Sequence, residues 1–182
     1  MRQFILMLSA LTIMSFALSP NTQKVVDHAK WQATQYVVYD PSYRILQYPN
    51  GDVPANRGVC TDVIIRAYRA IDIDMQKLIH EDILLNKKAY GITKPDKNID
   101  HRRTGNMRVF LRRKNTNQPI NGEYLPGDIV FWNVAYGHVG IVVDVKVPNT
   151  NRYYVVHNIG AGPKMEDFLY SATIVEHFRW NP

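Results

Sequence analysis

Apolar positions along the chain change period once, and the change divides it in two. Through the first part they recur every three or four residues. Val25, Val26, Ala29, Ala33, Tyr36 and Val37 form the apolar side of a first helix, which Asn21 or Thr22 can cap and Asp40-Pro41-Ser42 stops. Val63, Ala67 and Ile71, with Ile64 widening the stripe, predict a second helix over 60–70. Asp74 caps a third that runs to about Ala89 with Met75, Leu78, Ile79, Ile83 and Leu84 inward, and Gly91 ends it. Met107, Phe110 and Leu111 predict a fourth over 104–114. A short extended piece at 43–48 and two loops, 49–58 and 93–103, separate these helices.

Beyond Pro126-Gly127 the pattern turns to that of strands. Residues 128–132, 138–145, 153–157 and 173–180 read as four of them, with Pro148-Asn149-Thr150-Asn151 as a hairpin turn. Helices first and an antiparallel sheet second predict an α+β domain over 18–182. Apolar content of 46% supports a real core, and 182 residues suit one domain.

The first 17 residues have a different pattern. Arg2 precedes an apolar run over 4–14 that only Ser9 and Thr12 interrupt, and Ser15 and Ala17 are the small residues of a cleavage site. This reads as a signal peptide, too short to span a bilayer. No cysteine near residue 17 offers a lipid-attachment site. The mature chain is therefore expected to be exported, periplasmic or extracellular, and monomeric, with no stable membrane insertion.

Net charge is +6, with an isoelectric point near 9.4. The basic residues are scattered apart from Arg102-Arg103 and Arg112-Arg113-Lys114, and no nucleic-acid motif surrounds them. The second run reads as a solvated helix face; the functional reading of such runs is attraction to an anionic partner such as a cell-wall polymer.

Cys60 is the single cysteine. It stands where the Pro- and Gly-containing loop 49–58 ends and a helix begins, and unpaired N–H groups there favour thiolate. Most lone cysteines are small buried apolar residues, and Asp62 in the same turn opposes a thiolate. Export argues for use, because an unpaired cysteine in an oxidising compartment invites oxidation. A cysteine nucleophile needs a base. His138 opens a strand after Tyr136-Gly137, and a hairpin centred near 149–150 puts His157 at a neighbouring rung. His138 is the expected base and His157 its orienter; His101, in a polar loop, is the rival. His28, His80 and His177 read as structural. Zinc held by Cys60, His138 and His157 is a weaker alternative, since a closed site needs four ligands. No cofactor is expected.

Pro126-Gly127-Asp128-Ile129-Val130-Phe131-Trp132 and Gly137-His138-Val139-Gly140-Ile141-Val142-Val143-Asp144, together with the helix-opening cysteine, resemble the NlpC-type cell-wall cysteine peptidases of the papain-like superfamily. Gly58-Val59-Cys60-Thr61-Asp62, Asn98-Ile99-Asp100-His101-Arg102-Arg103 and Val156-His157-Asn158-Ile159-Gly160-Ala161-Gly162 are similar to one bacterial branch, domain-of-unknown-function family 1287. The resemblance covers nearly the whole mature chain. It implies a papain-like fold and attack by Cys60 on an amide of a peptidoglycan stem peptide, with His138 as base and His157 as orienter. The chain departs from the wider family at Val59-Cys60-Thr61-Asp62, where Asp-Cys-Ser-Gly is usual, and at Pro54, where many papain-like enzymes hold a glutamine for the oxyanion. The Cys60 N–H then needs a helper, Asn56 or Tyr48. Arg102 or Arg103, in a loop with Asp100, is expected to bind a substrate carboxylate; the plainer reading is a loop pinned by Asp100 pairing with an arginine. The expected function is an exported amide hydrolase of the cell wall, endopeptidase or amidase. The alternative is a catalytically silent cell-wall-binding protein using the same cleft.

Overall fold

The computed structural model describes residues 18–182; the leader expected over 1–17 lies outside the described residues. The first helix, α1 (Pro20–Gln32), is capped by Ser19, whose Oγ accepts the Thr22 N–H at 3.1 Å, rather than by Asn21 or Thr22. It also stops short of the expected Val37. The β-branched and aromatic run 36–39 prefers extended backbone, and tertiary pairing captures it. Val38–Tyr39 forms β1, parallel to β2 (Arg57–Gly58), with the Val38 N–H on the Asn56 carbonyl at 2.9 Å and the Asp40 N–H on the Gly58 carbonyl at 3.2 Å. Tyr36, expected inward, is 85% exposed. The correction matters for the site, because β1 lies alongside the residues that lead into Cys60.

α2 (Cys60–Arg69) follows, then α3 (Met75–Leu85), whose cap Asp74 accepts the Lys77 N–H at 3.1 Å. Leu84, expected inward, is exposed. A single turn, α4 (Lys87–Tyr90), is closed by Gly91 at φ 63°, a left-handed position that glycine adopts without strain. A 3-10 turn (Asp100–Arg102) leads into α5 (Thr104–Arg113).

The sheet has six strands: β3 (Asn117–Gln118), β4 (Ile129–Trp132), β5 (His138–Lys146), β6 (Tyr153–His157), β7 (Lys164–Glu166) and β8 (Ile174–Phe178). Their order is β3-β8-β4-β5-β6-β7, antiparallel throughout. The α+β order expected from the sequence is what forms; β3 and β7 are the strands its pattern missed. Ile129, Phe131, Val139, Ile141, Val143 and Val156 pack with Val63, Ile64, Ala67, Ile79, Met107 and Phe110 in the main core. Alternate residues Val130, Trp132, Val142 and Val155 form a smaller cluster with Tyr124 and Leu169. Buried Asp128 joins β4 to β8: its carboxylate lies 2.7 Å from His177 Nε2 and accepts Arg179 Nε at 2.7 Å. A register shift between Val142 and Lys146 sets Gly140 opposite His157. Among the described residues no helix is long and apolar enough to cross a membrane.

Candidate active site

Cys60 is the first residue of α2, after extended Val59. Two sequence motifs close around this turn. Asp62 Oδ2 accepts the Val59 N–H at 2.6 Å, so the carboxylate caps the helix it belongs to. Arg102 grips the same carboxylate, Nε to Oδ1 at 3.0 Å and Nη2 to Oδ2 at 2.9 Å, with both side chains buried. Thr61 Oγ1 donates to the Arg102 carbonyl at 2.9 Å. A side chain at Gly58 would stand 3.2 Å from Asp62 Cβ, so the glycine lets the cap form. The motifs at 58–62 and 98–103 are thus two halves of one support for Cys60.

This corrects the expectation for Arg102. Its remaining N–H groups reach the carbonyls of Asp40 (3.2 Å) and Ser42 (3.5 Å), so its guanidinium serves the protein. Among the described residues Asp100 pairs with no arginine: it accepts the Asp96 N–H at 2.8 Å, lies 2.9 Å from His80 Nδ1, and is buried outside the cleft that holds Cys60. Arg103 is exposed and lines a cleft of about 460 Å³ with Tyr39, Cys60, Asn106, Tyr136 and Gly137. Neither proposed oxyanion helper lines that cleft. Tyr48 stands edge-on to His80, and Asn56 lines a separate cavity of about 500 Å³ beside Trp31 and Arg66. Tyr39, carried by β1, is the phenol that β1 brings to the Cys60 cleft. Sequence pattern hid it inside a helix that does not extend so far.

The backbone N–H groups of Val139, Thr61 and Cys60 itself favour the charged form of the sulfur. Burial nonetheless pushes the thiol up to about 11, and the Asp62 charge adds to the rise. The helix start therefore does not leave a standing thiolate: desolvation of a side chain only 5% exposed outweighs the N–H groups.

His138 sits between Gly137, in the cleft wall, and Val139, whose N–H favours the charged form of the Cys60 sulfur. Gly137 turns the chain at φ 100°, where a side chain would meet Thr104 Oγ1 at 2.8 Å. His138 Nε2 lies 2.9 Å from His157 Nδ1, which leaves His138 Nδ1 as the free nitrogen. Trp132 and Phe168 wall the pair, with the Phe168 ring 4.2 Å from that of His157. A side chain at Gly140 would approach His157 Cβ to 2.9 Å, so the glycine admits the second ring. Asn158 Nδ2 donates to the Gly58 carbonyl at 3.3 Å and ties the end of β6 to the approach to Cys60. Burial, then the neighbouring His157, holds His138 down at about 4. His101 is fully buried outside the cleft, also at about 4 through burial and the adjacent Arg102 charge. Among the described residues no three His, Cys, Asp or Glu side chains are grouped to hold a metal ion.

These two histidines carry a stability prediction. The unfolded chain binds their protons near the ordinary value of 6.5, and the folded chain only near 4. The unfolded state therefore holds more protons between those values, and stability falls as pH falls through that window. It is complete above about 6.5. The combined loss by pH 4 is on the order of several kcal/mol. Urea midpoints measured from pH 7.5 to 4 should show it, with a smaller decline in His101→Gln.

The two arginines separate by experiment. Arg102→Ala leaves Asp62 charged and buried without its partner and should cost about 3–5 kcal/mol. Arg103→Ala should leave the melting temperature within a degree or two and weaken substrate affinity alone. Thermal melts and Michaelis constants of both variants check this; equal destabilisation by both would remove Arg103 from the cleft.

The profile of the family described as Domain of unknown function (DUF1287) matches residues 26–180. The chain is 41% identical over 165 residues to the uncharacterized protein YijF of Escherichia coli (strain K12), covering 86% of this chain and 80% of that one. The solved structure of NlpC1 from Trichomonas vaginalis is similar over 91% of this chain at 16% identity and a TM-score of 0.49, and the chain spans 46% of its length.

Proposed function

The chain belongs to the family described as Domain of unknown function (DUF1287), and from that premise we propose that it is a cysteine hydrolase of amide bonds, acting on peptidoglycan stem peptides outside the cytoplasm. The observation that carries this reading is the His138–His157 pair, bonded at 2.9 Å beside the cleft that holds Cys60. The pair leaves His138 Nδ1 unbonded to His157, one residue along the chain from Gly137, which lines the cleft together with Cys60, the single cysteine of the chain.

The steps follow from that arrangement. The site rests neutral, as thiol and imidazole. His138 Nδ1 takes the thiol proton as the sulfur attacks the substrate carbonyl carbon. The oxyanion meets the Cys60 N–H and the Tyr39 hydroxyl. His138 returns the proton to the leaving nitrogen, and a thioester remains. Water then attacks the thioester, giving its proton to His138, and the acid leaves as the thiol reforms. Arg103 receives a carboxylate of the stem peptide through its planar fork.

One observation favours the second reading, binding without turnover: burial keeps the Cys60 thiol protonated. Incubation of the mature protein with cell-wall sacculi, followed by mass analysis of the soluble fragments, decides between the two. New stem-peptide or sugar-amide termini support the hydrolase. Sacculi that bind the protein and stay intact support the binder.

A further inference from the structure

The hydrogen-bonded pair of imidazoles poses a question of protons. His138 Nε2 and His157 Nδ1 lie 2.9 Å apart, and one must donate to the other. If His157 carries its proton on Nδ1, it donates to His138 Nε2. The His138 proton then sits on Nδ1, and His138 has no lone pair for a thiol. If His157 carries its proton on Nε2, its Nδ1 accepts from His138 Nε2–H. His138 Nδ1 is then bare. Only the second arrangement makes a base.

β7 holds the group that chooses. Lys164 stands directly opposite His157, and Glu166 opposite Val155, so Glu166 is the diagonal neighbour of His157 on the same face. Its Oε2 lies 3.1 Å from His157 Nε2. That nitrogen is buried, and no aligned hydrogen bond serves it. The carboxylate sits off the N–H axis, but the Glu166 side chain is 44% exposed and has room to swing into line. A carboxylate only accepts.

We propose that Glu166 fixes the Nε2–H tautomer of His157, which fixes the Nε2–H tautomer of His138 and leaves His138 Nδ1 free to take the Cys60 proton. Glu166 is a positioning residue, acting through two rings. Its negative charge also answers the imidazolium that forms when the thiol proton arrives. Other groups around His157 do not compete for this role. Lys164 is a cation, whose charge opposes protonation of His157 while Glu166 favours it. His138 is the receiving ring. At the start of α2, Cys60 is neutral and Asp62 is bound to Arg102. Phe168 covers the His157 face with an apolar ring.

The proposal rests on the hydrolase reading only in naming Cys60 as the proton source, and its test needs no substrate. Nitrogen-15 spectra of histidine-labelled protein report which ring nitrogen is protonated. In the unaltered protein both His138 and His157 should carry the proton on Nε2. A His157 proton on Nδ1 overturns the proposal without any variant. In Glu166→Ala, both rings should shift toward the Nδ1–H form, and alkylation of Cys60 by iodoacetamide at pH 7 should slow about tenfold or more. Glu166→Asp should recover part of the rate, which a purely structural loss would not predict. Unchanged tautomers and alkylation in a folded Glu166→Ala protein overturn the assignment. Expected tautomers in a protein that cleaves no sacculi sink the hydrolase reading and leave this one standing.

Discussion

Cys60→Ala is expected to abolish turnover, by at least about 10⁴-fold, while the protein still folds. Without the sulfur no covalent intermediate forms, and what remains is binding and oxyanion stabilisation. A factor of 10⁴ is about 5.5 kcal/mol of barrier. The fold loses far less. Cys60 is a small buried member of a core that also holds Ile64, Val139 and Phe110, and removing one sulfur costs about 1 kcal/mol. The supports of the turn, Asp62 on the Val59 N–H and Arg102 on Asp62, do not involve the thiol. Melting curves and fragment release from sacculi measured together test this. Full activity in the variant would end the cysteine mechanism.

The second large effect is a ranking. His138→Asn should be close to inactive, and His157→Asn should retain measurable activity. His138 supplies the nitrogen that moves the proton, and asparagine has no basic lone pair to replace it. In the proposed tautomer His157 accepts from His138 Nε2, at 2.9 Å, and an asparagine carbonyl can do that. The pH profile gives a second check. Activity should rise as pH climbs through about 4, where His138 loses its proton, and hold until the thiol itself ionises near 11. The sign follows from the base being needed neutral: below about 4 the imidazolium cannot take a proton. Both variants at pH 7, with kcat and KM resolved, settle the ranking. Equal loss from both, or the reverse order, would mean that the rings have been assigned the wrong way round.

The sequence by itself determined the class of the fold, because hydrophobic period is local. Apolar residues three and four apart gave α2, α3 and α5 close to where they form, and alternation gave β4, β5, β6 and β8. Cys60 at a helix start and two histidines on paired strands were legible for the same reason, since a hairpin turn fixes register within a residue or two. What only the tertiary structure decided is which charges and phenols face which. Arg102 and Arg103 are neighbours in the chain and both border the cleft, yet one is buried on Asp62 and the other is exposed. Nothing in spacing distinguishes them, because the choice depends on a partner forty residues away. Tyr39 reached the cleft because Val38–Tyr39 found a strand partner in Arg57–Gly58, a long-range pairing that outweighed helical spacing. Glu166 met His157 through a three-residue strand too short to show a period. The protonation state of Cys60 was decided there too. A helix start alone favours thiolate, but burial under the sheet reverses the balance, because desolvation depends on everything packed around the sulfur.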